Sequence, residues 1–250
     1  MKKLIAIVLL LGLLTGCAAQ TPAPVAEVET TQPVTTQPVV ETIQEEEKSP
    51  LHSGLNSDGS FDEFTLFIGD SLTYGMVTGY LPDNGYLGGA KYMAIPGGAI
   101  TCYMKGPRLG EKPSAYTQEF EGLTMRQAVE QYGKPIRAVY LMLGTNATEY
   151  DSDAMYAEMV DHLLTYCPDA TIYLELVPRD RSVKVSSEKA NQRINRVFQQ
   201  FQDEPRVQLI DTNTAIGDHL AADGIHLQEK GQACWYKAIV DYAAEKGIER

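Results

Sequence analysis

Residues 64–72 read Phe64-Thr65-Leu66-Phe67-Ile68-Gly69-Asp70-Ser71-Leu72. The apolar run has the length of one strand, the glycine permits a tight bend, and Asp and Ser are residue types that start helices. A strand turned sharply into a helix is the unit from which alternating α/β chains are built. Working outward from the first run at 64–68, further short apolar runs lie at 91–95, 138–143, 171–177 and 207–210. Helical segments are expected between them at about 71–80, 124–132, 152–166, 186–201 and 228–246. The third and fourth runs are almost continuously apolar, so their strands are expected to be buried on both faces. The fold class that follows is α/β, a three-layer α/β/α sandwich with about five parallel strands in the order 2-1-3-4-5. Ligands of such a sheet gather beyond the carboxyl ends of the strands.

Of the 250 residues, 44% are apolar and 22% charged, which leaves ample material for one core. The formal charge of −12 repels phosphate backbones and argues against nucleic acid as a partner. Lys2 and Lys3 precede an apolar run from Leu4 to Leu14, the pattern of a secretory signal peptide at residues 1–16. That run is shorter than the ~20 residues a spanning helix needs. From Ala18 to about Ser60 the chain is rich in Pro, Thr, Gln, Val and Glu, and Thr-Thr-Gln-Pro-Val occurs at both 30–34 and 35–39. Residues 17–60 therefore read as a disordered tether reaching about 35 Å, with the folded domain at 61–250. Beyond Cys17, Cys102, Cys167 and Cys234 are odd in number, so at least one thiol is expected to be free.

The polar residues that follow the strands converge on one chemistry. Gly69-Asp70-Ser71-Leu72 follows the first, Gly97-Gly98 the second and Gly144-Thr145-Asn146 the third, while Asp223-Gly224-Ile225-His226 lies beyond the fifth. A hydroxyl such as that of Ser71 becomes a nucleophile when a base takes its proton, and His226 with Asp223 three residues earlier supplies a base and an orienting acid. The Ser71 N–H, a glycine N–H and the Asn146 amide could face a developing oxyanion. Each residue also has a plainer use: Asp70 or Ser71 as a helix cap, Gly144 and Asn146 as turn formers, His226 as a loop residue bonded to Asp223. Their conjunction at successive strand ends favours catalysis. His219 after Asp218 is a rival base, whereas His162 in a helix and His52 in the tether are expected to be bystanders.

These four blocks resemble the SGNH hydrolase superfamily, also called GDSL lipases and esterases, over about residues 64–246. The resemblance implies a flavodoxin-like fold, a serine hydrolase with a Ser71, Asp223 and His226 triad, an oxyanion hole of Ser71, Gly98 and Asn146, and no metal or organic cofactor. The second-block glycine could be Gly97 or Gly98; Gly98 is chosen because Ala99-Ile100-Thr101 resembles the family's small-residue turn into the next helix. The family often has Asn before that glycine and Asp after the third-block Asn, where this chain has Ala94-Ile95-Pro96 and Ala147. Leu14-Thr15-Gly16-Cys17 resembles a bacterial lipobox, which implies lipidation of Cys17 and an extracytoplasmic, membrane-anchored lipoprotein.

The expected reaction is acyl transfer to water through an acyl-Ser71 intermediate. Tyr74, Tyr103, Tyr150 and Arg179, placed on the loops, suit an acylated glycan better than a long-chain lipid, so acetyl or another short acyl group on carbohydrate is the expected substrate. An O-acyltransferase and a lysophospholipase or thioesterase would use the same site. A non-catalytic glycan- or solute-binding lipoprotein is the alternative of another class, and has no need of the triad.

Overall fold

The computed structural model describes residues 51–146, 151–179 and 187–248. The signal segment, Cys17, most of the tether and Tyr150 lie outside the described residues. One sheet contains β1 (Thr65–Gly69), β2 (Lys91–Ala94), β3 (Ala115–Tyr116), β4 (Ala138–Met142), β5 (Thr171–Glu175) and β6 (Val207–Ile210), in the spatial order β3-β2-β1-β4-β5-β6. The five longer strands are parallel and follow the anticipated order. The two-residue β3 adds an antiparallel edge against β2, through Met93 opposite Tyr116 and Ala94 opposite Ala115. It is too short to leave a periodic trace in the sequence.

The helices are α1 (Ser71–Gly75), α2 (Leu81–Asp83), α3 (Ile100–Lys105), α4 (Met125–Tyr132), α5 (Asp153–Tyr166), α6 (Ser187–Gln200), α7 (Thr212–Ile216) and α8 (Glu229–Lys246). The segment expected as one helix at 71–80 changes winding at Met76–Tyr80, where the Leu81 N–H donates to the Met76 carbonyl five residues back, a π turn. α7 was not anticipated and α3 only as the helix entered from the turn at 99–101, because five or six residues are too few to establish a helical period. Helices α3 to α6 pack on one another, while the π segment and α7 pack on α8.

In-register Phe67, Tyr140 and Tyr173 run across β1, β4 and β5. Phe67 stacks on Tyr140 with ring centroids 5.2 Å apart, and Tyr140 on Tyr173 at 4.7 Å. Each such pair contributes about 0.5–1.5 kcal/mol beyond the area it buries. The ladder also corrects the domain boundary. Two of its members carry hydroxyls that must find acceptors in the interior: Tyr140 donates to the Ser53 carbonyl and Tyr173 to the His52 carbonyl, both at 2.7 Å. The His52 N–H donates in turn to Thr171 Oγ1, and Leu55 bridges to Phe61. Residues 51–60, expected in the tether, therefore belong to the folded unit. Cys102, Cys167 and Cys234 are all free thiols, and burial pushes Cys167 up to about 12. No described helix is long and apolar enough to cross a membrane.

Candidate active site

The site begins where β1 ends. A Cβ on Gly69 would fall onto Thr73 Oγ1 and within 2.8 Å of the Met142 carbonyl oxygen, so only glycine lets β1 turn against β4 here. Asp70 then caps α1, its Oδ1 accepting the Leu72 N–H at 3.0 Å. Ser71, the first residue of α1, is partly exposed, and its N–H belongs to the helix end that has no intrahelical acceptor.

Beyond β2, Ile95-Pro96-Gly97-Gly98 forms a tight turn with Gly97 at φ +73° and the Gly98 N–H donating to the Ile95 carbonyl at 2.7 Å. This revises the role expected for Gly98. Its amide hydrogen closes the turn and is not free for an oxyanion, whereas its carbonyl oxygen accepts Asn146 Nδ2 at 3.2 Å. The same Nδ2 also donates to Asp70 Oδ2 at 3.2 Å. Residues from the ends of β1, β2 and β4 thus meet at the Asn146 amide. Burial pushes the Asp70 carboxyl up to about 6, against the downward pull of the Leu72 N–H, Thr145, Asn146 and the charge of His226.

The last part is the loop between α7 and α8. Ala221 N–H donates to the His226 carbonyl at 2.7 Å and Gln228 N–H to the His219 carbonyl at 3.1 Å, closing residues 219–228 into a compact turn around Gly224, at φ +73°. Within it, Asp223 Oδ1 accepts the N–H groups of Ile225 and His226 at 2.9 and 3.0 Å, and Oδ2 bonds His226 Nδ1 at 2.6 Å. The imidazole bond, followed by the two backbone bonds, holds Asp223 down at about 2. Both side chains are half exposed, at 48% for Asp223 and 50% for His226. With Nδ1 held by the carboxylate, Nε2 is left without a hydrogen bond among the described residues, as is the Ser71 hydroxyl.

Other expected residues fall elsewhere. Tyr103 is fully buried and its hydroxyl is bonded to His162 Nδ1 at 2.8 Å, so it belongs to the core and not to a substrate surface. His162 Nε2 in turn bonds Glu130 at 3.1 Å, a link from α3 through α5 to α4. Tyr74 is half-buried against the core, Arg179 is exposed, and the His219 ring makes no hydrogen bond among the described residues. Two buried groups at the same rim were missed. Glu175, the last residue of β5, accepts the indole N–H of Trp235 through Oε1, and Tyr156 of α5 is sensitive to the charge of both Glu175 and Asp70. A glutamate inside the apolar run 171–177 was the one available signal.

Comparison with known proteins agrees with this geometry at the level of the fold. A Streptococcus pneumonia structure described as a platelet activating factor superposes with a TM-score of 0.52 at 20% identity, covering 71% of this chain and 82% of that one. A carbohydrate esterase family 3 protein from Talaromyces cellulolyticus gives 0.51 at 17% identity, covering 74% and 99%. A family two carbohydrate esterase from Clostridium thermocellum, in complex with cellohexaose, gives 0.50 at 15% identity, covering 73% of this chain and 64% of that one. No curated protein matches the sequence. The family model for GDSL-like lipases and acylhydrolases matches residues 67–234, from within β1 into α8, and so takes in Ser71, Asn146, Asp223 and His226. The chain belongs to the GDSL-like lipase/acylhydrolase family, whose members are SGNH-type ester hydrolases.

Proposed function

We infer that the chain removes acetyl or another short acyl group from a carbohydrate, as a secreted lipoprotein held to the membrane through Cys17. Ser71 is the nucleophile. His226 Nε2 takes the Ser71 proton as the serine oxygen bonds the ester carbonyl carbon, while Asp223 keeps the imidazole in the tautomer that leaves Nε2 free and stabilises the imidazolium. The Ser71 N–H and the Asn146 amide face the resulting oxyanion. Collapse of the tetrahedral adduct expels the alkoxide, which takes the proton from His226, and leaves acyl-Ser71. A water, deprotonated by the same imidazole, then releases the carboxylic acid and restores the serine.

The observation that carries the acyl-group assignment is the polarity of the surface. Among the described residues Tyr166 is the one large hydrophobic side chain classed as exposed, and it ends α5, whose first residue follows the segment beyond β4. A long acyl chain needs apolar surface beside the nucleophile, whereas the catalytic side chains Asp223 and His226, both half exposed, are polar. The same fold serves carbohydrate esterases.

Rates on aryl acetate, butyrate and octanoate test the acyl group, and acetate release from acetylated xylan and from O-acetylated peptidoglycan tests the alcohol. Acetate esters should be the best substrates, with Ser71→Ala inactive. Preference for octanoate would overturn the short-acyl assignment, and appearance of acetyl on an added sugar in place of free acetate would make the chain a transferase.

A further inference from the structure

We propose that Asp70 is a positioning residue of the ester-hydrolysing centre: its buried carboxylate pins the Asn146 amide so that one amide hydrogen stays fixed while the other passes from the Gly98 carbonyl to the oxyanion. The proposal rests on the catalytic assignment of Ser71, His226 and Asn146 above. A helix cap alone does not account for Asp70. Capping uses Oδ1 and the Leu72 N–H, yet Oδ2 is directed at Asn146, and the side chain is fully buried beside the nucleophile.

A carboxamide has two N–H hydrogens. In the resting structure one meets Asp70 Oδ2 and the other the Gly98 carbonyl, so neither is free for substrate. The two acceptors differ in strength, because a bond to an ionised carboxylate outlasts one to a neutral carbonyl. As an ester carbonyl becomes an oxyanion it outcompetes the Gly98 oxygen, and the amide, still held by Asp70, exchanges that one partner with little reorganisation. Preorganised donors are effective for this reason. The groups facing Asp70 are the Leu72 N–H from α1, the Thr145 hydroxyl and Asn146 from the end of β4, His226 from the terminal loop and Tyr156 from α5. Burial puts its protonation at about 6, so the pin is ionised at neutral pH and is lost in mild acid.

Asp70→Asn separates pin from cap. Asn caps a helix as well as Asp does, but with its oxygen on the Leu72 N–H it presents N–H hydrogens to the N–H hydrogens of Asn146. The full chain carrying this substitution should lose about 10- to 100-fold in kcat on aryl acetate with KM within about threefold, and the component of the acid limb near pH 6 should disappear. Rates are normalised to the fraction titrated by a fluorophosphonate, which removes any loss of folded protein. In an Asn146→Ala background the same substitution should change kcat less than about twofold, because Asp70 acts through that amide. A wild-type chain that neither hydrolyses aryl acetate nor labels at Ser71 overturns the catalytic assignment and this proposal together. An active wild type whose kcat and acid limb are unchanged by Asp70→Asn, or whose loss persists undiminished without the Asn146 side chain, overturns the proposal alone.

Discussion

Replacing Glu175 by Gln should make the protein more stable at neutral pH and above, by an amount that grows as the pH rises. Glu175 has no exposed surface; Oε1 takes the Trp235 indole N–H, and Oε2 has no hydrogen-bond partner among the described residues. Burial pushes its carboxyl from 4.5 up to about 8, with only the indole pulling it down. The native state therefore keeps a proton that the unfolded chain releases. For a group raised on folding in this way, stability is greatest below pH 4.5, falls as the pH climbs to about 8, and is flat beyond. At about 1.4 kcal/mol per pH unit the loss is about 3 kcal/mol by pH 7 and at most about 5 kcal/mol by pH 8. The Gln side chain keeps an oxygen for Trp235 and has no charge to bury. Urea unfolding followed by far-ultraviolet circular dichroism at pH 5, 6, 7 and 8 measures both chains. Their difference isolates Glu175, because the similar contribution of Asp70 is common to both. The curves should nearly meet at pH 5 and separate by several kcal/mol at pH 8. A separation constant with pH, or a wild type that gains stability up to pH 8, would refute the reasoning.

Three further outcomes follow, two from the geometry and one from the proposed lipidation of Cys17. Asp223→Asn should lower kcat by about 10²- to 10⁴-fold, measured on aryl acetate, because the amide cannot hold His226 in its working tautomer, while the melting temperature should barely move at so exposed a position. Tyr140→Phe removes a buried hydrogen bond to the Ser53 carbonyl and should cost about 0.5–1.5 kcal/mol in urea unfolding, with faster proteolysis in residues 51–60. Cys17→Ala should move the protein from the membrane to the soluble fraction without changing kcat, as read by cell fractionation and an ester assay.

The long strands and helices were legible because each buries enough apolar surface to repeat a period. Ile172, Leu174, Val139 and Leu141 are all buried, as their continuous runs require. What escaped is short or depends on distant partners. Nothing local in Ala115-Tyr116 marks a strand; Thr117 beside it accepts the Tyr92 N–H, a partner 25 residues away in sequence. Residues 51–60 look like tether because their anchors are backbone carbonyls satisfied by tyrosines far along the chain, which no composition records. At the site, the pairing of Asp223 with His226 could be anticipated from a three-residue spacing that a turn closes. The commitment of the Gly98 N–H to its own turn could not, since Gly97-Gly98 admits either assignment until the backbone is placed. Tyr103 misled because a tyrosine near a glycine turn reads the same whether its ring faces substrate or, as here, His162.

Reaction of the active full-length chain with a fluorophosphonate, followed by peptide mass mapping, bears on the nucleophile itself. One phosphonyl group should be found, on Ser71, with fluoride released, and its attachment should slow by orders of magnitude in His226→Ala. Modification of a different residue, or an enzyme that hydrolyses esters while Ser71 stays unmodified, would contradict the assignment of Ser71 as the group that His226 activates.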